Sequence, residues 1–572
     1  MASLVPFLVL GSAFLVSGNA PFAPGNIIED AFFWAERGSE ALTEALRRSQ
    51  LPREHRAKNV IFFVGDGMGS SVLTAARIYR GQMAGKTGEE GSLAFESFPY
   101  LSLVKTYSVD HQVPDSASTA TAMFTGVKTR SSFLGLDATA DADDCTSRSR
   151  VPSLLQWAQD EGKYTGLVTT TRVTHATPAA LYAHVPNRNW ECDTKIPREV
   201  HDSVAGGECK DIARQLVEER PGQNLRVIMG GGRQQFLDFV PEDQRVRACY
   251  REDRRNLIAT WANHKVSLNA SFMYLETTED LERLDPARTD YVMGLFDMNH
   301  MSYEVDRNKT AQGQPHLATM TQKAIEMLQR GPKGYFLMVE GGRIDHGLHD
   351  NKAHRAIQET LAFEEAVRIA MELTSPKDTL IVVTADHDHV MTINGYPKRG
   401  NDILGERLFH RRFGVASNGE VDGLPYTTLM FTTGGSYDYK CTKILDYGGN
   451  ILGVLPLRKN ISDTDTRDTE YRQLSGVWNR YGGETHGGQD VPLYAQGPGA
   501  HLFTGLQEQS YIAHAISYSA CMGPHKKDCL AGQNPKHPAK PFTSGTSPFH
   551  EAQHAPHLLS LSIVSLVTFY GL

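Results

Sequence analysis

The 572-residue chain has no prominent run of lysine and arginine, and 58 basic against 66 acidic residues leave a net charge of −8. A nucleic-acid partner calls for a basic face, so that class is excluded. The apolar run at the C-terminal end, residues 558–572, falls short of the roughly 20 residues that cross a bilayer as a helix. Internal repeats and low-complexity tracts are absent, which excludes solenoids and biased scaffolds. Gly230-Gly231-Gly232 lacks the Lys-Ser/Thr that completes a phosphate loop, so tight packing is its expected role. Cysteine is sparse: seven residues, an odd number, in keeping with an oxidising compartment and at least one thiol without a partner in the chain. Cys521 and Cys529 are close enough to close a small loop, while spacing leaves the pairing of Cys145, Cys192, Cys209, Cys249 and Cys441 open.

The two ends carry targeting patterns. Residues 1–20 are apolar and finish in small residues, the layout of a cleaved secretory signal without its usual basic start. Residues 558–572 form a second apolar run, preceded by a polar spacer (531–557) and the small triplet Ser544-Gly545-Thr546. Triplet, spacer and tail are the layout of a glycosylphosphatidylinositol signal, with attachment near Ser544. The expectation is an anchored protein on the outer face of the plasma membrane. The sequons at Asn269, Asn308 and Asn460 agree with export.

Four apolar runs, Asn59–Val64, Tyr164–Val168, Tyr335–Val339 and Thr379–Val383, read as buried strands. Amphipathic stretches such as Thr319–Gln329 and Ala353–Leu373 lie between them. The pattern predicts an α/β fold, a large three-layer α/β/α sandwich with a mainly parallel central sheet. Residues 27–48 predict two short amphipathic helices interrupted at Gly38. The stretch 395–483, rich in Gly, Arg, Asn and Tyr, reads as an inserted surface subdomain.

Functional groups in such sheets gather where strands meet their following loops. Here all four runs end in ligand-type residues: Asp66, then His175 and Thr177, then Glu340, Asp345, His346 and His349, then Asp386 and His387. Singly, each has an ordinary reading as a turn, surface or strand-end residue, and His486 alone is a loop histidine. Four strand ends together point to metal chemistry. Asp345, His349 and His486 make an ordinary zinc set, and Asp66, Asp386, His387 and Ser116 a second. Asp66, Thr177 and Glu340 offer oxygen alone and suit magnesium. Ser116 sits in Val113-Pro-Asp-Ser-Ala-Ser-Thr-Ala120 at the start of a helix-tolerant run. The motif contains no histidine to act as a base, so if Ser116 is a nucleophile something else must ionise it, and metal coordination is one of the few ways. Arg188 supplies a planar fork for two phosphate oxygens, and Asp115 can hold that fork.

These segments, above all VPDSA, VEGGRIDHGLH, TADHDHV and ETHGG, resemble the alkaline phosphatases, and the animal membrane-anchored kind more than the bacterial. The match runs from about Lys58 to Cys529. It implies a phosphomonoesterase with Ser116 as the nucleophile that becomes phosphoserine, Arg188 as phosphate clamp, and the two zinc sets and one magnesium set above. It also implies His175 and His346 in places where bacterial members commonly carry Asp and Lys, and disulfides Cys145–Cys209 and Cys521–Cys529. The family is homodimeric, with an N-terminal arm (27–52) on the partner, a core (53–394 and 484–530) and a crown (395–483). Animal members often bind a fourth ion, calcium, through a backbone carbonyl and carboxylates. Phe296 and Asp297 match part of its motif, and Glu242 is a further candidate ligand. Ala311-Gln-Gly-Gln314 stands where a last aspartate is expected, so that set is incomplete. Two rival readings share the ligands: a two-metal phosphodiesterase, and a catalytically silent anchored receptor. The third-metal set together with Arg188 favours monoesters.

Overall fold

The structure, a computed structural model, describes residues 30–48, 56–142, 149–203, 209–240, 249–405, 415–418, 424–436, 439–479 and 482–531. Ten strands make the central sheet: β1 (Asn59–Gly65), β2 (Tyr100–Lys105), β3 (Tyr164–Arg172), β4 (Val227–Gly231), β5 (Phe272–Leu275), β6 (Tyr291–Leu295), β7 (Tyr335–Gly341), β8 (Thr379–Ala385), β9 (Val491–Gln496) and β10 (Gly505–Glu508). Their order is β10-β2-β9-β8-β1-β7-β3-β4-β6-β5. Neighbours run parallel except at β9, which is antiparallel to both β2 and β8.

Successive residues of a strand face opposite sides. Every residue of β7 and β8 is buried, and all but the first of β1. Both faces of the sheet are therefore covered at these central strands, which is why they read as unbroken apolar runs. The covering helices include α1 (Ala31–Arg48), α2 (Ser70–Met83), α3 (Ser116–Thr125), α4 (Leu317–Leu328), α5 (Arg343–His349), α6 (Ala353–Leu373) and α7 (Tyr511–Ser519). In α4 the buried Leu317, Met320, Thr321, Ala324, Ile325 and Leu328 recur at helical spacing. α6 packs on α4 and α2, and α7 on α1 and α3.

The N-terminal reading needs correcting, because α1 runs unbroken through Gly38. A Cβ at this glycine would lie 2.0 Å from His514 Cδ2 of α7. The residue marks a close crossing of two helices, and Trp34 of α1 packs against Val127 and Val151. The glycines at 230–232 are packing residues too: a Cβ on Gly231 would meet the Asn299 carbonyl at 2.1 Å.

Register places the site. Gly65 of β1 pairs with Gly341 on one side and Ala385 on the other, so Asp66 and Asp386 follow from adjacent parallel strands. Thr169 of β3 pairs with Glu340 of β7. A short ribbon, Asp388–His389 against His486–Gly487, sets His389 directly across from His486. The described part of 395–483 forms strands outside the central sheet, among them the hairpin Tyr439–Leu445 and Ile451–Arg458.

Disulfides join Cys192 to Cys249 and Cys521 to Cys529. Cys209 is also disulfide-bonded, while Cys145 lies outside the described residues, as do Glu242, Ser544 and the two terminal signals. Asn269, Asn308 and Asn460 are exposed. Among the described residues no helix is long and apolar enough to cross a membrane.

Candidate metal centre

Asp115 caps α3. Its Oδ1 accepts the Ser118 N–H at 3.1 Å and the Ser118 hydroxyl at 2.8 Å. Its Oδ2 accepts the Ser132 N–H and an Arg188 guanidinium N–H, both at 3.1 Å. Burial opposes ionisation here, but the Arg188 charge and these donors hold the carboxyl below its usual range. With capping done by Asp115, Ser116 is the first helical residue and its hydroxyl is left for the strand ends. Ser116 Oγ lies 3.2 Å from His387 Nε2 and 3.4 Å from Asp66 Oδ1. Arg188 reaches the same space, its second terminal nitrogen 3.2 Å from His175 Nε2.

Asp345 and His349 stand four apart on α5 and so share a face. His349 Nδ1 donates to the Glu484 carbonyl at 2.7 Å, and His486 Nδ1 to the Pro114 carbonyl at 2.8 Å. Each ring therefore turns a bare Nε2 inward. The two Nε2 atoms are 3.0 Å apart, and each is 3.3 Å from Asp345 Oδ1. Three lone-pair atoms meeting this closely, with no hydrogen among them, call for a cation. Burial pushes the His349 pKa down, favouring the neutral ligand form.

Next to them, His387 Nε2 is 3.4 Å from Asp66 Oδ1 and 3.3 Å from Asp386 Oδ2, all three side chains fully enclosed. Asp386 Oδ1 accepts the backbone N–H groups of Gly67 at 2.9 Å and His387 at 2.8 Å, fixing the carboxylate. On the far side of Asp66, Glu340 Oε2 accepts the hydroxyls of Thr169 and Thr171. Glu340 Oε1, Asp66 Oδ2 and Thr177 Oγ1 are buried with no hydrogen-bond partner among the described residues. Buried oxygen atoms left this way are costly, and a hard cation is the group that satisfies all three. Burial, reinforced by the mutual repulsion of Asp386, Asp345 and Glu340, pushes the Asp66 pKa well up. Burial takes Glu340 to about 7.

His175 and His346 lie beside this oxygen set, their rings 5.6 Å apart, with His300 4.4 Å from His346. Burial and the charge of Arg343 take His346 down to about 3, and burial with Arg188 pushes His175 well down. Sequence reasoning missed the buttresses. Thr169 and Thr171 hold Glu340, Gln509 donates to the Asp386 carbonyl at 2.6 Å, and His389 lies between Asp345 and Glu484. His389 and Glu484 were open to detection, each two residues from a ligand in the quoted motifs. At the expected calcium position Asp297 Oδ1 accepts the Asn299 N–H at 2.9 Å and Oδ2 the Gln314 amide.

The profile of the family described as alkaline phosphatase matches residues 57–522. The chain belongs to the alkaline phosphatase family. It is 42% identical over 536 residues to the tissue-nonspecific alkaline phosphatase of Gallus gallus, covering 91% of this chain and 96% of that protein. It is 39% identical over 529 residues to the membrane-bound alkaline phosphatase of Bombyx mori, covering 90% of each. Its fold is shared with the solved alkaline phosphatase of Thermus thermophilus, with a TM-score of 0.55 at 24% identity over 83% of this chain and 93% of that one. The chain is accordingly an enzyme, a hydrolase of phosphate monoesters, and the family implies divalent metals.

Proposed function

We propose that this alkaline phosphatase works through Ser116 with two zinc ions and one magnesium ion. One zinc would be held by Asp345, His349 and His486, the other by Asp66, Ser116, Asp386 and His387, and the magnesium by Asp66, Thr177 and Glu340. The observation that carries the reading is the convergence of lone pairs without hydrogens, with the orphaned oxygens of Asp66, Thr177 and Glu340 beside them. Bound there, the ions would supply Lewis-acid stabilisation of the attacking and leaving oxygens and lower the pKa of the nucleophile. The chain's own groups do the rest. The Ser116 oxygen attacks phosphorus as the alkoxide of the substrate departs, giving phosphoserine; water then displaces the serine and releases phosphate. Arg188 binds two non-bridging oxygens, held to that orientation by Asp115 at 3.1 Å.

The test is hydrolysis of a chromogenic phosphate monoester at alkaline pH, before and after chelation, with zinc and magnesium returned singly and together. Activity lost on chelation and regained fully only with both metals is expected. Activity indifferent to chelation, in protein shown to be metal-free, would end the reading.

We also propose a homodimer attached outside the cell by a lipid anchor near Ser544. Leu101 and Leu103 of β2 and Leu506 of β10, with Leu506 paired to Leu103, form an exposed apolar face on the sheet edge that a second copy would cover. In that reading residues 27–52 form an arm and 395–483 a crown. The membrane-bound name of the Bombyx mori relative supports anchoring. Release from cells by a phosphatidylinositol-specific phospholipase checks it.

A further inference from the structure

Four side chains, Asp345, His349, His389 and His486, bring ligand atoms close enough to share one ion. They are not equivalent. His349 and His486 each donate through Nδ1 to a carbonyl and keep Nε2 bare. His389 has a carboxylate at both nitrogens: Nε2 is 2.7 Å from Asp345 Oδ1, and Nδ1 is 2.5 Å from Glu484 Oε2. Both ring nitrogens are thus engaged by carboxylate oxygens, and neither stands bare as the Nε2 atoms of His349 and His486 do. The other Glu484 oxygen accepts the Val390 N–H at 2.7 Å. The main chain of Glu484 also grips His349, its N–H donating to the His349 carbonyl at 2.7 Å and its own carbonyl accepting His349 Nδ1. One fully enclosed side chain thus fixes the strand that carries His389, while its backbone fixes a ligand histidine.

We propose that Glu484 is a positioning residue that holds His389 out of the coordination shell, so that His389 orients Asp345 and the ion on Asp345, His349 and His486 keeps an open position. The inference rests on the zinc assignment above. Its logic is coordination number. A zinc closed by four protein ligands is a structural site, whereas a catalytic one keeps a place for water or substrate. Freed from Glu484, His389 lies within reach of becoming the fourth protein ligand, directly across the ribbon from His486.

The experiment loads full-length protein with cobalt in place of zinc and follows its visible absorption as inorganic phosphate is added. In wild type the spectrum should change as phosphate takes the open position. In Glu484→Ala the change should require phosphate at a concentration on the order of 10-fold to 100-fold higher. Glu484→Gln should stay near wild type, because its side chain keeps the length that reaches both Val390 and His389. The double variant Glu484→Ala/His389→Ala should regain the response, which a role in folding alone would not produce. If Glu484→Ala does not fold, Glu484→Asp, one methylene too short to reach His389, replaces it. A wild-type response in the Ala or Asp variant, or no recovery in the double variant, would overturn the proposal. Cobalt content unchanged in His349→Ala would overturn the metal assignment itself, a separate failure.

Discussion

Asp345 and Asp66 are both enclosed aspartates just beyond a strand, yet their surroundings treat the charge in opposite ways. Around Asp345 stand three imidazoles, and although burial opposes ionisation, His349, His389 and His486 hold its carboxyl well below the usual range. Around Asp66 stand Asp386, Asp345 and Glu340, and its pKa is pushed well up. In the histidine half, His389 offsets part of the Asp345 charge, while the bare Nε2 atoms of His349 and His486 still face it. The carboxylate half is unfavourable until a cation arrives. Under the proposed metal assignment, the stability of the carboxylate half should depend on loading more strongly than that of the histidine half.

The largest expected effect is at the hydroxyl that the carboxylate half faces. Ser116→Ala should lower turnover by about 10³-fold or more and abolish phosphoenzyme labelling. Its melting should stay close to wild type, since Asp115 still caps α3. Labelling retained in this variant would remove Ser116 from its role.

The next pair of variants tests the contrast by sign. In metal-free protein Asp345→Asn strips His389 of one of its two carboxylates and should destabilise by on the order of 3 kcal/mol. Glu340→Gln relieves like-charge crowding and should leave metal-free stability unchanged or raised, while weakening magnesium binding. Denaturant melts in excess chelator measure both. Equal losses in the two would break the comparison.

The pH dependence separates the halves further. Glu340, raised from 4.5 to about 7, binds more protons folded than unfolded. Metal-free stability should accordingly fall as pH rises from about 4.5 to 7, and bound metal should abolish that fall. Asp345 acts in the other direction: its contribution is present above the ordinary carboxylate range and is lost as acid protonates the folded form. His389, raised to about 10 by the Glu484 and Asp345 carboxylates against the effect of burial, contributes fully below about 6.5 and loses that contribution as pH passes through about 10. Melting temperatures from pH 4 to 10, with and without metal, should show these windows.

The smallest expected effect is at the calcium position. Gln314 already donates to Asp297, so calcium should shift the melting temperature by less than about 1 °C. A larger rise, lost in Asp297→Ala, would restore a fourth site.

The parallel sheet was legible because strands buried on both faces must be continuously apolar, and the site because four of them end in ligand-type residues. The helix of 353–373 was legible to the residue. Gly38 misled, since a glycine that admits a neighbouring ring looks the same in sequence as one that ends a helix. Pairing of Cys192 with Cys249 depends on a separation of 57 residues closed only by tertiary structure. His389 and Glu484 sat inside recognised motifs, but their role comes from cross-strand register, which a single strand does not reveal.

β9 comes late in the chain yet lies inside the sheet, joining the β2–β10 edge to β8. His486, the last of the proposed zinc ligands, immediately precedes it. During synthesis, everything from Asp66 to His387 leaves the ribosome before the strand that locks the edge in place. In the proposed assignment, a product cut short before His486 would carry Ser116, Arg188 and most of the ligands, and it is expected to be inert.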